Sequence, residues 1–213
     1  GQFNLYHHND AINESIDTIL LSQADVVTIQ ELNSRWSEKL KKELKSSHPF
    51  VIEETWDNCC YGIGLYSKFP ITSHEIVHFD SIPAIEAILD VRGKAVTVIS
   101  LHTQAPAFPN KTPVRNAQLN LISEIINKNE KPCVLVGDFN IVPWDGFFKQ
   151  FLKRTAMKRV RIGLQPTYPM DLGIPLIPID HILYSKEFEP TSCETVNIPG
   201  SDHKGLIAGF RFN

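Results

Sequence analysis

Residues 94 to 140 read KAVTVISLHTQAPAFPNKTPVRNAQLNLISEIINKNEKPCVLVGDFN, and this stretch decides the fold. KAVTVISLH (94–102) is rich in β-branched residues and reads as a strand that ends on a histidine. After a proline-rich loop at 105–113, VRNAQLNLISEIINK (114–128) sets Leu119, Ile122, Ile125 and Ile126 on one helical face. CVLVGD (133–138) then forms a short apolar run, read as a second, buried strand with Cys133 inside. The order strand, helix, strand places the chain in the α/β class.

The same alternation extends outward in both directions. Toward the N-terminus, Ile12, Ile16, Ile19 and Leu20 recur at helical spacing, and the run from Val26 to Gln30 reads as a strand buried on both faces. Ser34 is placed to cap a second helix, whose Trp36, Leu40 and Leu44 make one apolar stripe among lysines and glutamates, ending near Ser46. Between 50 and 102 the text is β-rich: FVIEE, GIGLYSK, ITSHEIVHF, AIEAILDV and KAVTVISLH, punctuated by Pro70, Pro83 and Gly93. Toward the C-terminus a short helix at 146–155 precedes the strands IDHILYS, CETVNI and GLIAGFRF, with a proline-rich segment at 166–178 and a turn at 200–203 between them. Strands spread over the whole length with helices between them predict a four-layer α/β/β/α sandwich: two packed, mainly antiparallel sheets flanked by helices. Residues 1–213 are expected to form a single domain. Since the sequence starts without Met and runs at once into Asn4, an upstream segment is expected to precede it.

Composition narrows the function. A chain of 213 residues with 42% apolar side chains can bury a large core. Its net charge of -3 argues against a grip on nucleic acid by bulk positive charge. Lys149, Lys153, Arg154, Lys158, Arg159 and Arg161 form the one basic cluster, read first as a solvated helix face. The four cysteines, Cys59, Cys60, Cys133 and Cys193, lack the spacing of a zinc site; Cys59 and Cys60 suit reduced thiols or a disulfide equally. No run of 18 apolar residues is present. Nothing calls for an obligate protein partner, and a monomer is expected.

Chemistry is expected where polar residues end apolar strands: Gln30-Glu31, His102, the run from Gly137 to Asn140, Asp180-His181, and Ser201-Asp202-His203. Taken singly, each is an ordinary loop cap. If those ends converge, Glu31, Asp138, Asp180 and Asp202 bring four carboxylates together, which repel one another unless a cation or imidazolium joins them. Oxygen ligands without cysteine favour Mg2+, with Mn2+ as the second choice, and Mg2+ in turn favours phosphate chemistry.

The elements FNLY, IQEL, SLHTQAP, GDFN, IDHIL and GSDH, in this order, resemble the endonuclease/exonuclease/phosphatase superfamily over nearly the whole chain. The resemblance implies the DNase I-like sandwich and a metal-dependent hydrolase of phosphoesters. Glu31 is similar to the principal metal ligand, with Asn4 and Asp202 close by. Asp138 resembles the residue that orients or deprotonates the attacking water, and Asn140 one that donates to water or phosphate. His203 resembles a histidine contacting the scissile phosphate, Asp180 its orienting carboxylate, and His102 a second phosphate-contacting histidine.

The segments 113–118, 137–144, 164–169 and 177–185 resemble a narrower bacterial group, often with transmembrane helices before this domain, that includes a teicoplanin-resistance phosphatase. That likeness implies a lipid pyrophosphate or other phosphorylated small molecule as substrate, Arg115 as a further phosphate contact, and a membrane-anchored, extracytoplasmic parent. A DNA endonuclease or exonuclease acting on nucleic acid is the alternative, and a non-catalytic binding module the third reading.

Overall fold

The computed structural model describes residues 1–106, 111–160, 165–170 and 176–213. Arg161 of the basic cluster and parts of the two proline-rich segments lie outside them. In chain order the elements are β1 (Gln2–Asn4), α1 (Ile12–Leu21), β2 (Val26–Gln30), α2 (Ser34–Leu44), β3 (Phe50–Glu54), β4 (Ile63–Ser67), β5 (Ile71–Phe79), β6 (Ile82–Val91), β7 (Lys94–His102), α3 (Lys111–Lys128), β8 (Cys133–Asp138), α4 (Gly146–Thr155), β9 (Lys158–Arg159), β10 (Asp180–Tyr184), β11 (Phe188–Asn197) and β12 (Lys204–Phe212).

These strands make two six-stranded sheets. The first runs β11-β12-β1-β2-β4-β3, the second β5-β6-β7-β8-β10-β9. Each sheet is mixed: β1 pairs parallel with β2 and β7 parallel with β8, and the other strand pairs among the described residues are antiparallel. The two parallel pairs follow from α1 and α3, which carry the chain back across its sheet before the next strand starts. Period-2 alternation then sorts the side chains. Val27 and Ile29 face α1 and α2, joining Ile16, Ile19, Trp36, Leu40 and Leu44 in one core. Leu135 and Leu183 face α3 and α4, with Leu119, Ile122, Phe148 and Phe151. Between the sheets lie Leu65, Ile85, Val136, Ile182 and Leu206. Three apolar layers separated by two sheets are the expected sandwich, as the strand and helix patterns implied.

Local chemistry sets several boundaries. Asn33, one residue before the expected cap, is the N-cap of α2; its side chain accepts from the Trp36 amide at 3.0 Å. Ser34 instead gives its amide and hydroxyl to Asp57. β6 starts at Ile82, two residues before the expected Ala84, because Asp80 and Ser81 take positive φ (49° and 72°) and close a two-residue hairpin that pairs Phe79 with Ile82. Gly137 has φ 147°, and a Cβ there would sit 1.9 Å from the Leu101 carbonyl oxygen, so only glycine lets β8 lie this close to β7. Among the described residues no helix is long and apolar enough to cross a membrane.

Candidate functional site

Alternation along the strands explains where the polar side chains go. On β1, Asn4 shares the inter-sheet face with Gln2; on β7, His102 follows Ser100; on β8, Asp138 follows Val136; on β10, Asp180 precedes Ile182. Register then aligns them: Asn4 is opposite Gln30, and Asp138 is opposite both His102 and Asp180. Strict alternation would send Glu31 to the helix side with Ile29. Its left-handed backbone (φ 62°) breaks that pattern, and the carboxylate turns to meet Asn4.

The Asn4 amide joins the sheets. Its Nδ2 donates to Glu31 Oε1 and to Asp138 Oδ2, each at 3.2 Å. Asp138 Oδ2 also lies 3.5 Å from His102 Nε2 and 3.7 Å from His203 Nε2, while its Oδ1 accepts the Asn140 amide at 2.9 Å. His203 Nδ1 donates to Asp180 Oδ2 at 2.9 Å, and Asp180 Oδ1 accepts from Gln2 Nε2 at 2.6 Å. The turn carrying His203 is fastened to the end of β1: the Ser201 hydroxyl donates to the Asn4 carbonyl at 2.7 Å and accepts the His203 amide at 3.0 Å. All six of Asn4, Glu31, His102, Asp138, Asp180 and His203 are buried.

Burial and mutual charge set the protonation states. Burial alone would favour neutral His203, but Asp180, Asp138 and Asp202 outweigh it and raise the imidazole to about 10, so it is cationic at neutral pH. Asp180 is also opposed by burial, yet the His203 charge and hydrogen bond hold it below the usual carboxylate range. Asp138 goes the other way, because burial and the Asp180 charge lift it well above that range despite His203. Burial likewise raises Asp202 and lowers His102. Glu31 resists burial through His102, both hydrogen bonds from His7 and the Asn4 amide, and stays below its ordinary value.

A divalent cation fits this donor set on two counts. Four carboxylates share the site with one cationic imidazole, and the buried Asp202 Oδ1 has no hydrogen-bond partner. Among the described residues, Asp138, Asp180 and His203 bring ligand-type atoms within 4.8 Å of one another. In that trio both Asp180 oxygens already accept hydrogen bonds. The Glu31 oxygens likewise accept from Asn4 and His7, so Asp202 Oδ1 is a site oxygen left open for a hard cation, with Glu31 and Asn4 beside it.

The sequence matches the Endonuclease/Exonuclease/phosphatase family over residues 1–203. The chain belongs to that family. Its fold superposes on D. rerio TDP2 complexed with single strand DNA product, with a TM-score of 0.81 and 18% identity, covering 99% of this chain and 97% of that one. An endonuclease/exonuclease/phosphatase from Bacteroides vulgatus gives 0.80 at 20% identity, covering 100% and 97%. A beta toxin variant from Staphylococcus aureus with bound magnesium ions gives 0.72 at 20%, covering 97% of each chain. No curated protein matches the chain significantly in sequence.

Arg115, expected at the phosphate, has its guanidinium engaged by the loop after β8. Its side chain is 5% exposed; Nη1 donates to the Asn140 carbonyl at 3.0 Å, Nε and Nη2 donate to Asn116 Oδ1, and Nη2 is 3.6 Å from Asp145. It braces the loop after β8. Asn140 itself has φ 50° and gives its Nδ2 to the Thr103 carbonyl at 2.9 Å. The sequence reading did not find His7, whose backbone and ring nitrogens hold Glu31 Oε2 at 3.0 and 2.9 Å, nor Gln2, which backs Asp180. It also passed over two rings, Tyr61 at 5.1 Å from His102 and Tyr168 at 4.7 Å from His203. Gln2 and His7 flank the FNLY element directly and Tyr168 falls within the 164–169 segment, which is the signal that could have raised suspicion.

Proposed function

We propose that the chain hydrolyses a phosphoester with a divalent cation, Mg2+ or Mn2+, held by Glu31, Asn4 and Asp202. The observation that carries this reading is the Asn4 amide spanning Glu31 and Asp138 beside an Asp180-backed His203. When bound, the cation neutralises the carboxylates and polarises a phosphoryl oxygen.

The chain's own groups account for the remaining chemistry. Asp138, with its raised proton affinity, orients the attacking water and takes its proton. His203 stays cationic and sets positive charge against the phosphate, with Asp180 and Gln2 fixing the ring. His102 stands beside Asp138 as a second phosphate contact, and Asn140, held in its left-handed turn, orients the water or phosphate. Attack in line on phosphorus breaks the P–O bond to the leaving group without a covalent intermediate.

For the substrate, a lipid pyrophosphate or other phosphorylated small molecule is favoured over DNA, in keeping with the likeness to the bacterial teicoplanin-resistance branch. The basic cluster makes a poor track for DNA. Lys158 pairs with Tyr184, four residues along β10 from Asp180, so Lys158 stands roughly 13 Å along the strand from the site. Arg154 lies over the Phe147 ring and Arg159 is hydrogen-bonded to His181.

The test is one panel: the domain with Mg2+, Mn2+ or EDTA against bis-p-nitrophenyl phosphate, an isoprenyl pyrophosphate and plasmid DNA, with Asp138→Ala as control. Metal-dependent phosphate release from the lipid, absent in Asp138→Ala, supports the reading. DNA nicking abolished by the same substitution makes the protein a nuclease. No turnover anywhere leaves a binding module.

A further inference from the structure

His181 is a buried histidine beside the site that the chemistry above does not use. It neighbours Asp180 on β10, so alternation points it to the opposite face of the sheet, toward α4. There it stacks on Phe148 (centroids 4.6 Å, 27°) and meets the edge of Phe139 (5.2 Å, 74°). Arg159 Nε donates to its Nδ1 at 3.0 Å, and its Nε2 lies 2.7 Å from the Ile141 carbonyl. A guanidinium cannot accept, so Nδ1 must be the acceptor and Nε2 must carry the proton given to Ile141. Burial and the Arg159 charge hold the ring neutral, with a pKa near 3.

The Ile141 carbonyl follows directly on Asn140, whose own carbonyl is taken by Arg115 from α3. Two consecutive carbonyls of the loop are thus held from two different elements by two buried side chains. Asn140 is a non-glycine residue in the left-handed region, and its amide closes on Asp138 Oδ1. Releasing either carbonyl frees this turn to relax and carries the Asp138 carboxylate with it.

We infer that His181 and Arg115 form a two-armed clamp that positions Asp138 and Asn140 for reaction. The inference rests on the function proposed above for those two residues. Both arms act through the loop, so they are positioning residues that leave substrate affinity largely intact. Misplacement of reacting groups by about 1 Å costs on the order of 10²-fold in rate.

The test compares wild type, His181→Leu and His181→Gln. Gln can place an amide N–H where Nε2 stood, whereas Leu fills the space without a donor. The clamp requires kcat of His181→Leu to fall about 10²-fold with KM within about threefold, and His181→Gln to recover most of the loss. In 15N-resolved NMR spectra the Asn140 backbone and side-chain amides should shift in His181→Leu and stay near their wild-type positions in His181→Gln. Should His181→Leu lose its cooperative melt, Arg115→Met tests the other arm by the same two measurements. An unchanged kcat in the folded variant, unmoved Asn140 amides, or no recovery by Gln overturns the clamp. If wild type turns over no substrate, the proposed reaction fails on its own, and the Asn140 resonances still decide whether the clamp exists.

Discussion

The two sheets use one device for two purposes. Each holds a single parallel pair, β1 with β2 and β7 with β8, fed by a helix crossing its outer face, and each ends that pair with a residue in the left-handed region. In the first sheet the left-handed residue is Glu31 itself, and the strand ends supply Asn4 and Glu31, the oxygen ligands of the proposed cation. In the second it is Asn140, two residues beyond Asp138, and the strand ends supply groups that move or stabilise charge: His102, Asp138 and, from the antiparallel neighbour, Asp180. A parallel pair gathers two strand ends at one edge of a sheet, and stacking two such sheets brings four ends together. What differs between them is chemical content, so under the proposed function the comparison divides the labour: the first sheet would hold the cation and present His203, and the second would run the proton chemistry.

The largest effect should come from removing the second sheet's proposed base, Asp138, or the imidazolium that the first sheet sets at the mouth of β12, His203. Asp138→Ala and His203→Ala are each expected to lower kcat on bis-p-nitrophenyl phosphate about 10³-fold at saturating Mg2+. Retention of a tenth of the activity in either would end the assignment. Packing should respond alike in both helical layers. Trp36→Ala over the first sheet and Phe148→Ala over the second are each expected to cost about 3–5 kcal/mol in urea unfolding, both residues being fully buried. A cost under 1 kcal/mol at one of them would show that its layer is loosely built.

Glu31→Gln sharpens the division directly. It should raise the Mg2+ concentration for half-maximal rate by about 10- to 100-fold, with a smaller loss at saturating metal. A fall in kcat with unchanged metal dependence would place Glu31 with the proton chemistry instead.

A pH effect separates the layers next. His181 has a folded pKa near 3, below the ordinary value of 6.5, so the unfolded chain binds the extra proton between those values. Its contribution to stability is fully present above pH 6.5 and is lost as pH falls toward 3, with a slope of up to about 1.4 kcal/mol per pH unit. Urea unfolding of wild type and His181→Gln between pH 4.5 and 7 measures it, and the wild type should show the steeper decline; parallel curves would mean that His181 stays solvated. The smallest effect is expected at the first sheet's cap, where Asn33→Ala should cost about 1 kcal/mol in the same assay.

The sandwich was legible because its cores are apolar at regular spacing, and the candidate site because charged residues at the ends of buried strands have no packing role. Glu31, His102, Asp138, Asp180 and Asp202-His203 stood out on that ground alone. The parallel pairing of β1 with β2 did not, since Gln2–Asn4 is only three residues long and three residues carry no period. Nor did the Asp80-Ser81 turn, which takes positive φ without the usual Asn-Gly or Gly-Gly signal. Arg115 was expected at a phosphate on the likeness of the segment 113–118 to the narrower bacterial group. A guanidinium there can also serve a backbone carbonyl, and its bond to the Asn140 carbonyl was not legible before the loop was in place. Gln2 and His7 were hidden for a simpler reason: they act on residues 178 and 24 positions away.

That long reach has a consequence for how the molecule comes into being. β1 lies between β2 and β12, and Gln2 steadies the carboxylate that orients His203. Of the strands of this fold, β1 therefore waits for β12, made roughly 200 residues later, before the histidine can be set in place. Contacts of such sequence separation form slowly. A growing chain consequently carries no assembled centre until β12 has been made and docked beside β1.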